Sequence, residues 1–227
     1  MKKVKKILLV LFILVPFSIS AQEWEFGIFG GAPFYTGELT NDKAVVLDET
    51  HPGFGALVRY NFDKFLTLKS NIYYGKISGD DANAASREDR IRNLHFQSDI
   101  LDIGMQAEFN FMGFWTTEPQ NRTSLYGLLG LSIFRFNPKA KFNDKWYELQ
   151  PLGTEGQETT KFNDRKKYAL TQVAIPFGLG FKHAFDQHWS IGLEAGFRYT
   201  FTDYLDDVST TYVSEELLVG THTSKSY

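Results

Sequence analysis

Cysteine is absent from all 227 positions. That removes disulfide frameworks and thiolate metal sites, and with no Cys after the N-terminal leader it also excludes a lipid-anchored lipoprotein. Charge of one sign is scarce as well: 24 Lys and Arg stand against 27 Asp and Glu, and the net charge of −3 gives no case for nucleic acid. Only the leader "MKKVKKILLVLFILVPFSISAQEW" holds a long apolar run. From Ile7 to Ile19 it falls short of the roughly 20 residues that a spanning helix needs. Lys2, Lys3, Lys5 and Lys6 precede it, and the small residues Ser18, Ser20 and Ala21 follow, so residues 1–21 read as a secretory signal peptide cleaved near Ala21. The remaining residues 22–227 are enough for one domain. There is no phosphate loop and no nucleophile elbow. His95, His183 and His188 lack metal-ligand spacing, so no cofactor and no metal are expected.

What the chain does have is aromatic residues in alternation. In "WSIGLEAGFRYTF" every second residue is apolar: Trp189, Ile191, Leu193, Ala195, Phe197, Tyr199 and Phe201. Between them stand Ser190, Gly192, Glu194, Gly196, Arg198 and Thr200. That is the period of a β-strand, and the run is far longer than the roughly five or six residues of an average strand. Six further segments behave alike: "EWEFGIFGGA", "GFGALVRYNF", "FLTLKSNIYYG", "LHFQSDILDIGMQAEFNF", "SLYGLLGLSIFRFN" and "YALTQVAIPFGLGFKHAF". The fifth is apolar on both faces, and its orientation is open. Elsewhere Arg59, Lys69, Asp102, Glu108, Lys182, Glu194 and Arg198 fall mid-strand, opposite an aromatic face.

Alternation does not say which face is inside. A soluble sandwich would turn the apolar face inward, whereas an outer-membrane barrel turns it to lipid. Loop lengths favour the barrel. Pro33–Pro52, Ile77–Asn93 and Pro138–Lys167 are long, Asp63–Lys64 and Asp186–Gln187 are tight, and Met112–Thr123 is intermediate. Short turns at one rim and long loops at the other describe a small antiparallel up-and-down transmembrane β-barrel of about eight strands. The negative mean hydropathy argues against membrane helices and not against such a barrel. Seven strands are clear. An eighth would have to follow Asp207, where only Thr211–Val219 offers itself, and the sequence reads as stopping before its last strand.

An eight-stranded barrel is just wide enough for its own side chains to fill. The seven mid-strand charges are therefore expected to form a lumen network, and function to sit on the loops. His51 lies near a rim, and the acidic pairs Asp80–Asp81 and Asp206–Asp207 lie in loops. Paired carboxylates can share a proton for catalysis, but Asp is also ordinary turn composition, and nothing converges with these pairs by spacing. No enzyme and no small-molecule substrate are expected.

Several segments together resemble a known family: "FYTGELT", "YYGKISGDD", "RNLHFQSDILDIGMQAEFNF", "YGLLGLSIFRFNPKA", "WYELQPLGTEGQ", "QVAIPFGLGFKH" and "GLEAGFRYTFTDYLDDVSTTYV". In this order they are similar to the PorG-like outer-membrane β-barrels of the Bacteroidetes type IX secretion system. The resemblance covers almost the whole mature chain. It implies an outer-membrane protein, in contact with membrane lipid and with the periplasmic lipoprotein ring of the secretion machine, serving as an anchor or adaptor. Residues whose types strand geometry does not require are then the candidates for interaction: Tyr35, Gly37 and Glu38; Asp80 and Asp81; Trp146, Leu152 and Gly153; Tyr204, Asp206 and Asp207. By loop length these face outward from the cell, so a periplasmic ring would meet "MGFWTTEPQNRT", with Trp115, instead. The alternatives are a small barrel whose loop carboxylates bind or modify a lipid or peptide, and a soluble periplasmic β-sandwich.

Overall fold

The computed structural model describes residues 23–34, 51–81, 87–92, 94–155, 157, 165–202 and 204–207. The leader, Tyr35, Gly37, Glu38 and the segment Thr211–Val219 lie outside these residues. Seven long strands carry the chain: β1 (Trp24–Gly31), β2 (Gly53–Asn61), β3 (Leu66–Asp80), β4 (His95–Asn110), β5 (Thr123–Phe142), β7 (Thr171–Ala184) and β8 (Ser190–Thr200). A short β6 (Lys145–Glu148) folds back on the end of β5. All pairings are antiparallel, in the order β1-β2-β3-β4-β5-β7-β8. Helix among the described residues is confined to α1 (Arg87–Arg92) and three short 3-10 turns.

The sheet curls until distant strands meet. Lys69 of β3 reaches Glu194 of β8 at 2.5 Å, and Arg198 of β8 reaches Asp102 of β4 at 3.4 Å. This is the all-β barrel fold that alternation and loop parity predict. Among the described residues β1 and β8 are the ends of the sheet and are not paired with each other.

The curl answers the question of faces. Ile28 is 92% exposed and Phe197 73%, whereas Glu108 is 0% and Lys182 2% exposed. The apolar face is the outside and the charged face the inside. The ambiguous fifth segment also resolves. Tyr126, Leu128, Ser132, Phe134 and Phe136 of β5 point inward and are buried, while Leu125, Leu129, Leu131 and Ile133 are exposed outside. It is apolar on both faces because its upper inward half packs against loop residues rather than against charges.

Loop boundaries shift from the sequence expectation. β5 runs past Pro138 to Phe142, where Asn143 (φ 48°) and Asp144 (φ 61°) make a two-residue turn into β6. Asn and Asp tolerate that left-handed backbone better than other non-glycine residues. Trp146 therefore sits on a strand, not in a loop. Asp80 is likewise the last residue of β3, opposite His95. At the other rim both tight turns use one device. Asp63 Oδ1 accepts hydrogen bonds from the Phe65 and Leu66 amides, and Asp186 Oδ1 from the His188 and Trp189 amides. Those amides hold the Asp186 carboxyl below its usual pKa.

Candidate functional site

The interior is built in three layers. At the short-turn end the 111–122 connection folds inward, and Gly113 (φ 75°) takes the left-handed conformation that the reversal requires. Phe114 is fully buried, with Lys182 Nζ 4.6 Å from its ring centroid. Lys64 and Glu118 pair at 2.6 Å across this mouth, and Asn121 donates to the same carboxylate. Trp115 is half-buried, its amide donating to the Asn121 carbonyl. The segment singled out as a docking surface is thus in large part a plug.

Above it lies the charge network. Glu108 is its hub: Arg59 Nε donates to both carboxylate oxygens at 3.0 and 3.1 Å, Lys182 sits at 3.1 Å and Lys69 at 3.5 Å. Glu25 approaches Arg59 at 3.8 Å, and Glu194 takes Lys69 together with a hydrogen bond from Tyr126. Arg59, Lys69 and Lys182 balance Glu25, Glu108 and Glu194, so the network closes without net charge. Asp102 and Arg198 pair separately, nearer the long-loop end, where the Arg198 guanidinium lies over the Tyr73 ring. All seven sequence-selected lumen charges join ion pairs on the inner face, although Glu194 and Arg198, on the end strand β8, remain exposed. Tyr126 and Glu25 complete the network; Glu25 stands at the polar parity of the first alternating segment, whereas alternation leaves the orientation of Tyr126, on the fifth segment, open.

The third layer closes the long-loop end. Phe134, Phe136, Tyr168 and Ala174 form a buried cluster, with Tyr204 and Leu205 packed against it. The Tyr168 and Tyr204 rings stack at 4.5 Å. Each phenol then donates to a carboxylate of the other's loop: Tyr168 to Asp207, and Tyr204 to Glu155 at 3.1 Å. Thr154 adds a hydrogen bond to Asp207 at 2.6 Å. Of the residues singled out in the long loops, Asp81, Gly153, Asp206 and Asp207 are buried, while Leu152 and Trp146 remain exposed. Asp207, with Glu155, does more than cap a turn, since the two tie the connection that holds Thr154 and Tyr168 to the 204–207 segment, while Asp81 accepts from the Leu94 amide. Glu155 and Phe114 were not legible beforehand, because each lies in a connection where no periodicity operates, and Tyr168, at the start of an alternating segment, was not singled out.

Burial raises the Asp207 carboxyl to about 6, and the neighbouring Glu155 and Asp206 carboxylates push the same way, against the Thr154 and Tyr168 hydrogen bonds. A folded-state pKa above the unfolded value of about 3.9 contributes stability below that value and loses it as pH rises through about 6. The clasp should therefore be tightest below about pH 4 and loosen as pH rises to about 6. Asp207→Asn is expected to flatten the pH dependence of loop protection between about pH 4 and about 6, as read by amide exchange at residues 165–170. An unchanged profile would rule out Asp207 as the titrating group.

Among the described residues no group of three or more His, Cys, Asp or Glu is placed to hold a metal ion. The arrangement is one of ion pairs under two plugs, with Asp102 Oδ2, Gln106 Oε1, Asn110 Oδ1 and Ser132 Oγ buried without a hydrogen-bond partner among the described residues. No curated protein and no solved structure matches the chain. A family model matches residues 4–220, and the chain belongs to that family, described as a domain of unknown function (DUF6089).

Proposed function

We propose that this chain is an outer-membrane β-barrel that acts as a non-enzymatic structural component of the type IX protein secretion machine, anchoring or adapting its periplasmic lipoprotein ring. The observation that carries the structural part is the inversion of faces: an exposed apolar wall around a charge-neutral interior plugged at both ends. The apolar positions facing outward on β4 begin at Leu101 and continue to Phe111, just beyond the strand. About ten steps of roughly 3.3 Å at a tilt near 40° give a band about 25 Å tall, the height of an outer-membrane apolar belt. Trp24, Tyr60, Phe62, Phe65, Phe109 and Trp189 gather at the short-turn end, as an interfacial aromatic girdle would. A filled lumen suits an anchor and not a conduit. The choice of secretion machine rests on the segments that resemble the PorG-like barrels.

Two experiments test the parts separately. Ile103→Arg, at a wall position 58% exposed, should cost about 2–4 kcal/mol in a bilayer and next to nothing in a water-soluble protein. Unfolding in lipid vesicles against the parent chain measures it, and a neutral result would end the membrane reading. For the partner, the tagged protein is purified from detergent-solubilised outer membranes and its companions are identified by mass. Co-recovery of a ring lipoprotein is expected; a barrel recovered alone would refute the anchor role.

A further inference from the structure

The outer wall of the barrel is not uniform. On β1, β2, β7 and β8 the outward positions carry no Lys, Arg, Asp or Glu. On β3, β4 and β5 they change character toward the long-loop end, row by row across the paired strands. Ile72–Ile103–Ile133 is aliphatic, the next row is Tyr74–Leu101–Arg135, and the next is Lys76–Asp99–Asn137, with Lys139 one step further on β5. Three cations and two carboxylates therefore stand directly above the aliphatic belt, because Glu148 of β6 lies opposite Lys139 and accepts from Asn137 Nδ2 at 2.8 Å. Lys76 and Lys139 share Asp99 at 3.8 and 3.6 Å, and all three side chains are about one-third exposed. Arg135 is exposed and has no carboxylate partner among the described residues. Further from the belt, Lys141 is held by Asp144 and Asp80 caps the end of β3, so the positive excess is confined to one height.

Below these cations the same strands form an apolar groove of about 670 Å³. It is shallowed by the small Ala56 and Ser70 and walled by Ile72, Ile103, Met105 and Ile133. Both features face away from the lumen, and they adjoin.

We propose that this wall is a binding site for a phosphorylated, acylated lipid of the outer leaflet, with an acyl chain in the groove and a headgroup phosphate on Arg135, Lys76 and Lys139. The site rests on the membrane reading given above, which places the long-loop rim at the outer surface. The chemistry is direct. A guanidinium offers a phosphate two parallel donors, Lys stems run along apolar surface and put their ammonium groups at headgroup level, and basic clusters beside the belt attract anionic lipid. Asp99 sets the geometry by holding both lysines toward one point, and three cations against Asp99 and Glu148 leave one net positive charge for the phosphate, centred on the unpaired Arg135.

The test uses the full mature chain folded in zwitterionic detergent, with binding read by native mass spectrometry. Three probes are compared: diphosphorylated lipid A, the same lipid with its phosphates removed, and inorganic phosphate. The wild-type chain should prefer the phosphorylated lipid. The K76Q/R135Q/K139Q variant should lose at least about tenfold in affinity for it with no change for the dephosphorylated form, and R135Q alone, the milder variant, should lose part of that. Equal binding of the two lipids, or an unchanged affinity in folded variants, would overturn the proposal. Inorganic phosphate binding as strongly as the lipid would overturn the lipid assignment in favour of a simple anion site. A wild-type chain that remains in the aqueous phase and takes up no lipid would remove the membrane reading as well, which separates the two failures.

Discussion

Glu108→Ala is expected to destabilise the barrel by about 3–5 kcal/mol, the cost of breaking a buried ion pair from one side. Glu108 is the shared counter-ion of Arg59, Lys69 and Lys182, and its side chain is fully buried. After its removal Arg59 still has Glu25 and Lys69 still has Glu194. Lys182 keeps no carboxylate at ion-pair distance among the described residues, only the rings of Phe114 and Tyr126 at 4.6 and 5.1 Å and the more distant Glu25, and it is 2% exposed. A buried ammonium left in that position dominates the loss. Two comparisons isolate the cause. Glu108→Gln retains the volume and one acceptor and should fall between wild type and alanine. Adding Lys182→Met to Glu108→Ala removes the stranded charge and should recover a substantial part of the loss. Urea unfolding, followed by Trp fluorescence and by the gel mobility of the folded barrel, gives the numbers. Wild-type stability in the alanine variant would mean that the network does not hold the barrel together.

Gly130→Val should be worse and prevent assembly altogether. A Cβ on Gly130 would lie 2.2 Å from the Met105 carbonyl oxygen and 2.7 Å from the Gln106 Cα. Both are backbone atoms of the neighbouring strand, so no rotamer relieves the contact. Gly130 pairs with Gln106 in the middle of the β4–β5 ladder, and pushing these strands apart breaks the sheet at its centre. The control is Gly127→Ala on the same strand, whose Cβ would approach only side chains, Phe111 at 3.3 Å and Leu179 at 3.9 Å. It should assemble normally. Membrane-fraction yield reads out both variants, and normal yield of Gly130→Val would show that β4 and β5 pair differently there.

The strands and their faces were legible because a period of two survives in every long element. Trp189 to Phe201 forecast β8 to within a residue or so at each end, and Arg59, Lys69 and Lys182 were placed on the polar face by spacing and turned inward by the sorting of loop lengths. β6 was missed: "NDKWYE" is too short for a period to declare itself, and its only signal was the Asn143–Asp144 turn. The loop carboxylates were singled out as interaction candidates with turn capping as the alternative, since nothing local distinguishes either from an Asp buried beneath two stacked tyrosines. Phe114 was passed over within a turn whose composition suggests a surface.

The sequence by itself determined which residues are strand, which of them share a face, and that short and long connections sort to opposite ends. These are local properties, carried by the backbone period and by turn chemistry. Only the tertiary structure decided which way β5 turns its two apolar faces, and that Lys69 meets Glu194 across 125 positions of chain. It alone joined Tyr168 to Asp207 and Tyr204 to Glu155. Contacts across the lumen depend on the curl and stagger of the whole sheet, and those are fixed by all the strand pairings acting together rather than by any one strand.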